Sequence, residues 1–151
     1  MALEKISTLS DMKELMKELQ RLEAKFLYEF YGALQDFTSK KFLPQWLQNK
    51  SINKVFVSEK GKEVLSKVSN SPKRSVIFYD LETQDLNGLQ FLAALGQNPD
   101  LKARCKIILT APKLMPDAQS KLMQMGVNVI ISKPLEAEKL RIAFEKIGLD
   151  Y

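Results

Sequence analysis

The chain has 151 residues and a mass of 17.2 kDa, with 45% hydrophobic and 27% charged side chains, which excludes a disordered or fibrous polypeptide. It has no histidine and a single cysteine, Cys105. A His-based triad, a His-ligated zinc and a disulfide framework are therefore excluded, and a reducing, cytoplasmic setting is expected. Basic residues number 23 against 18 acidic ones, a formal charge of +5, and the length fits one domain of roughly 100–200 residues with room for an appendage.

From Ser10 to about Lys25 the chain is dense in Lys, Glu, Leu and Met and lacks Gly and Pro, which predicts a helix. Met12, Leu15, Leu19, Leu22 and Phe26 fall alternately three and four residues apart, drawing one apolar seam, with Thr8 or Ser10 as N-cap. The seam must be buried somewhere, either on its own domain or in a homodimer joined through this helix. Of these the homodimer is the expectation.

Beyond Phe26 short apolar runs alternate with amphipathic stretches. Ala33-Leu34, preceded by Tyr28 to Gly32, is the first predicted strand. Val55-Phe56-Val57, Ser75 to Tyr79, Lys106 to Leu109 and Val127 to Ile131 are the others. Helices are predicted over Ser39–Gln48, Lys62–Val68, Gly88–Leu95, Pro116–Met125 and Glu136–Ile147. Pro44 strains the first of these, which should start late, near Lys41, or kink. Met115, Met123 and Met125 read as core filler and Cys105 as an inert surface or strand-edge thiol. Continuous apolar strands alternating with helices predict a doubly wound, five-stranded parallel α/β sheet covered on both faces. The expected division is residues 1–27 as a helical extension and 28–151 as the sheet domain.

Ligands of such sheets bind at the carboxyl ends of the strands. The residues that follow the apolar runs are Gln35-Asp36, Asp80, Thr110-Ala111 and Ser132-Lys133-Pro134. Two carboxylates, a hydroxyl and an ammonium on one rim suit an aspartate that accepts a phosphoryl group beside Mg²⁺, with the lysine as a point charge on phosphoryl oxygens.

On these residues the sequence from 29 to 151 resembles the receiver domain of two-component response regulators, particularly the chemotaxis type. Asp80 followed eight residues later by Gly88 resembles the phosphoacceptor strand and its loop, and Leu109-Thr110-Ala111 the switch segment. Lys133-Pro134 resembles the family's Lys-Pro pair, where the peptide before the proline is usually cis, and Asp36 falls at an acidic metal ligand. The resemblance implies a flavodoxin-like fold, Asp80 as phosphoacceptor, Mg²⁺ held by Asp36, Asp80 and the Glu82 carbonyl, and Thr110 and Lys133 as phosphate-contacting residues. It further implies a histidine kinase or phosphotransfer protein as donor and an output partner on the face of the fourth and fifth predicted helices.

Three positions depart from the family pattern. Gln35 replaces the first of two adjacent acids, Gln84 the usual proline, and Ile130 the aromatic switch residue. Loss of a carboxylate at Gln35 removes negative charge near the cation, so weakened Mg²⁺ binding is expected. Gln35 and Ile130 favour an alternative, a degenerate pseudo-receiver that acts as a phosphorylation-independent scaffold. A flavin-binding protein is disfavoured, because Asp36 stands where its phosphate loop would begin. No enzymatic activity is expected. Residues 1–25 carry five basic and five acidic side chains, and the remaining excess forms no dense basic run, so no nucleic-acid site is expected. No apolar run approaches the roughly 18 residues of a membrane span, and Met1 to Lys5 lacks a signal-peptide core, so no membrane association is expected.

Overall fold

A computed structural model describes residues 8–149. The elements in chain order are α1 (Leu9–Phe26), β1 (Tyr28–Ala33), α2 (Phe37–Asn49), β2 (Val55–Ser58), α3 (Gly61–Ser69), β3 (Arg74–Asp80), α4 (Gly88–Gly96), α5 (Pro99–Ala103), β4 (Cys105–Ala111), α6 (Pro116–Gln124), β5 (Val129–Ser132) and α7 (Ala137–Lys146). The strands form one parallel sheet in the order β2-β1-β3-β4-β5. The chain therefore reverses its direction across the sheet between β1 and β3, which opens a crevice at their carboxyl ends.

The apolar runs are continuous because both sheet faces are covered. Along β3, Val76 and Phe78 enter one core layer and Ile77 and Tyr79 the other. The first layer centres on Phe144 of α7, stacked with Phe30 and Phe78 and met edge-on by Trp46 of α2 at 4.9 Å. In the second, Tyr79 stacks on Phe91 of α4 at 4.1 Å. Aromatic pairs in such geometries add about 0.5–1.5 kcal/mol beyond the area they bury.

Polar residues start the helices where the apolar runs stop. Thr8, Asp36, Asn87 and Asn98 accept backbone N–H groups of the first turns of α1, α2, α4 and α5, and Asn87 forms a reciprocal capping box with Gln90. Gly88 is required by packing: a Cβ there would stand 2.9 Å from Leu81 Cδ1.

Several expectations need correction. The first strand is Tyr28–Ala33, not Ala33-Leu34. Its polar Glu29 is tied to the Ser71 hydroxyl and its Gly32 lies between buried residues, which hides the strand in the sequence. Helix α2 starts at Phe37, not near Lys41, because the Asp36 cap fixes its first turn, and it runs on through Pro44. A short additional helix, α5, five residues opened by Asn98 and Pro99, precedes β4. Met115 and Met123 are exposed rather than core filler, and only Met125 packs against the core. The seam of α1 does not lie on its own domain. Ala24 is the one buried residue of that helix.

Candidate functional site

Parallel strands bring all their carboxyl ends to one edge. The β3–β4 register sets Asp80 opposite Thr110, and the β4–β5 register sets Ala111 opposite Ser132, one residue before Lys133. Asp36 reaches the same edge as the N-cap of α2, three residues after β1, held by its cap on the Ser39 N–H at 2.8 Å. The loop leaving β4 is tied down by the Lys133 N–H, which donates to the Ala111 carbonyl at 2.8 Å. The Lys133–Pro134 peptide is cis.

Asp80 is 1% exposed yet fully engaged. Its Oδ1 accepts the Thr110 hydroxyl, and its Oδ2 accepts the Gln35 N–H at 2.7 Å and Lys133 Nζ at 2.9 Å. Lys133 Nζ also donates to Asp36 Oδ1 at 2.7 Å, so one ammonium bridges both carboxylates. A buried carboxylate needs such compensation, because desolvating it alone costs several kcal/mol. Partial burial opposes ionisation of Asp36, but hydrogen bonds from Lys133 and Ser39 and the ammonium charge outweigh it, holding the carboxyl down at about 2. Burial likewise opposes the charge on Lys133, and the two carboxylates overcome it, so its pKa is raised.

Gln35, Asp80, Glu82, Gln84, Thr110 and Lys133 line a cleft of about 170 Å³. Asp80, Glu82, Thr110 and Lys133 of the expected residues thus share this cleft, and Asp36 is joined to it through Lys133. Ile130 does not; it packs half-buried against the second core layer. The Gln35 amide is turned away, its Nε2 donating to the Glu59 carbonyl at 2.7 Å. A larger groove of about 1080 Å³ lies at the opposite, amino ends of β1 and β2, away from these groups.

The donor set fits a hard divalent ion at the low end of what Mg²⁺ accepts, two carboxylates supplemented by phosphate oxygens and water. Among the described residues no group of three or more His, Cys, Asp or Glu side chains converges. The lysine ammonium between Asp36 and Asp80 shows that the pair attracts positive charge.

Sequence reasoning missed the supports of this rim. Thr83, 1% exposed, donates its hydroxyl to the Asp80 carbonyl at 2.7 Å and closes the turn after β3. Asp85 accepts the Gly61 and Lys62 N–H groups at 2.8 and 3.2 Å, capping α3 from another loop. Neither has a periodic signature, because each acts on backbone that is near only in space.

A family model described as the response regulator receiver domain matches residues 35–145. The probable chemotaxis protein CheY of Rhizobium etli is 28% identical over 110 residues, covering 73% of this chain and 84% of that protein. Chemotaxis response regulator CheY4 of Vibrio cholerae superposes with a TM-score of 0.69 at 17% identity, over 80% of this chain and 98% of its own. The receiver domain of sensor histidine kinase PA1611 of Pseudomonas aeruginosa, with a magnesium ion coordinated in its active-site cleft, gives 0.66 at 16% identity, over 80% and 97%.

Proposed function

Because this chain belongs to the response regulator receiver domain family of two-component signalling, we propose that Asp80 accepts a phosphoryl group and that the resulting state is read by a protein partner. The observation that carries this reading is the convergence on Asp80 of Thr110, Lys133 and the Gln35 N–H, with Asp36 bridged to it through the lysine.

In the proposed reaction an Asp80 carboxylate oxygen attacks phosphorus of a phosphohistidine on a kinase or phosphotransfer protein. The P–N bond breaks, the O–P bond forms, and the released imidazole nitrogen takes a proton from solvent. The donor histidine must come from outside, since this chain has none. Asp36, Asp80 and the Glu82 carbonyl would hold Mg²⁺, which neutralises charge on the transferring phosphoryl oxygens when bound. Lys133 supplies a fixed positive charge beside the acceptor, and the Thr110 hydroxyl lies where it senses the new group. Phosphorylation adds negative charge at a buried point, and Thr110 and Lys133 must rearrange around it. The exposed Met115, Met123 and Ile142 on and beside α6 and α7 support that face as the output surface. A cytoplasmic setting accords with the lone Cys105, whose thiol burial pushes up to about 11.

A second reading, a phosphorylation-independent scaffold, is favoured by one observation: where the family has an acid, Gln35 offers an amide already spent on Glu59. Incubation with Mg²⁺ and a small-molecule phosphodonor, read by intact mass, separates the two. The receiver reading expects one adduct on the wild type and none on Asp80→Asn. An unmodified wild type, or an adduct that survives Asp80→Asn, would turn the choice to the scaffold or to another acceptor.

A further inference from the structure

Of the exposed large hydrophobic side chains among the described residues, seven lie on α1 or on its C-cap: Leu9, Met12, Met16, Leu19, Leu22, Phe26 and Leu27. The first six are between 37% and 70% exposed along a helix that extends for about 27 Å. Monomers seldom leave a contiguous apolar stripe of that length uncovered.

We propose that α1 pairs antiparallel with α1 of a second copy of this chain, and that this pairing is the protein's dimer interface. The choice of occupant rests on charge. The helix carries Asp11, Glu14, Glu18 and Glu23 against Lys13, Lys17, Arg21 and Lys25, so it has no net charge. That balance gives no attraction to a strongly charged partner and differs from the Lys- and Arg-rich polar face of helices that lie on membranes. The pattern is instead self-complementary.

Placing Met12, Leu19 and Phe26 at position a of a heptad puts Leu15 and Leu22 at d, Asp11, Glu18 and Lys25 at g, and Leu9, Met16 and Glu23 at e. In a parallel pair the g and e positions of the two helices meet, and Glu18 would face Glu23 of the other copy twice. In an antiparallel pair g meets g and e meets e. With the full helices overlapped, Met12 layers on Leu22 and Leu15 on Leu19, each pair occurring twice. Asp11 then meets Lys25 of the other copy at both ends, and Met16 meets its own counterpart near the centre. Glu18 faces Glu18, but each is already neutralised by its own Arg21, whose Nε donates to it at 3.0 Å. This overlap also keeps the second helix on α1 alone, clear of β1, which begins two residues after α1 ends.

The arrangement goes beyond the phosphoacceptor reading and does not depend on it. The test uses the full chain and three preparations, each checked for folding by circular dichroism and sized by sedimentation across micromolar concentrations. The wild type is expected to dimerise. Asp11→Lys and Lys25→Asp each set like charges at both ends and should weaken the dimer at least about tenfold. A mixture of the two variants restores both opposite pairs and should recover wild-type affinity as a heterodimer. In a parallel pair residues 11 and 25 are about 21 Å apart and mixing would restore nothing. A monomeric wild type, a dimer indifferent to the single substitutions, or a mixture no tighter than its components would each overturn the proposal.

Discussion

Lys133 and Asp80 are 53 residues apart in the chain, yet the ammonium of one lies 2.9 Å from a carboxylate oxygen of the other. The same nitrogen reaches Asp36, 97 residues away, at 2.7 Å. One cation thus couples the ends of β1, β3 and β5, and its removal should be felt both in stability and in the charge of the site.

Lys133→Met should therefore lower the free energy of unfolding by about 1–3 kcal/mol, the range for leaving a buried charged group without its partner. Saturating Mg²⁺ should return part of that loss, since an ion that binds the folded state alone stabilises it by mass action. Urea titrations with and without Mg²⁺ measure both. An unchanged midpoint would show that Asp80 is compensated by Thr110 and the Gln35 N–H without the lysine.

Gln35→Asp and Gln35→Glu should tighten Mg²⁺ binding by about tenfold, equivalent to about 1.4 kcal/mol. Each returns a negative charge to a partly dehydrated cleft, where Coulombic attraction over a few ångströms is stronger than in bulk water. Calorimetric titration of wild type and variants decides the matter. Equal affinities would mean that the neutral amide is not what limits the ion.

Acid should destabilise the protein through Asp36. Its carboxyl ionises at about 2 in the folded chain against an ordinary 3.8. In this interval the unfolded chain binds more protons, so the contribution is fully present above about pH 5 and is lost as the pH falls through the folded value. Lys133, shifted upward, contributes in the opposite sense: its share is present below the ordinary lysine range and disappears as the pH rises past its folded pKa. Denaturation followed against pH should show a shallower acid limb for Asp36→Asn than for the wild type.

Gly61→Ala should cost about 1–3 kcal/mol by overpacking, because a Cβ at this position would lie 1.8 Å from the Tyr79 hydroxyl oxygen. The same substitution in a Tyr79→Phe background should cost less, since the ring carbon left behind stands 2.8 Å away. A double-mutant cycle measures the difference, and strict additivity would place the constraint elsewhere. Tyr79 also donates its hydroxyl to the Leu86 carbonyl, so Tyr79→Phe alone carries its own loss of about 1 kcal/mol.

The sequence by itself determined the alternation of buried strands and covering helices. A strand covered on both faces must be apolar throughout, as Ser75–Tyr79 and Lys106–Leu109 largely are, and the first one or two polar residues after it mark the rim. For that reason Asp36, Asp80, Thr110 and Lys133 were legible as a group before any contact was known. Strand β1 was less legible, because Glu29 interrupts its run and is satisfied by Ser71, 42 residues on.

Tertiary structure alone decided which polar groups meet. That one ammonium spans Asp36 and Asp80, that the Gln35 amide turns to Glu59, and that Asp85 caps α3 from a distant loop all depend on strand order and register, which local composition does not encode. It also decided the fate of the α1 seam. Periodicity shows that Met12, Leu19 and Phe26 share a face, but whether that face meets the domain or stays exposed depends on how the remaining helices fill both sides of the sheet. Here α1 contributes only Ala24 to the first layer, because the layers built on Phe144 and Phe91 are otherwise closed by α2, α7, α3, α4 and α6.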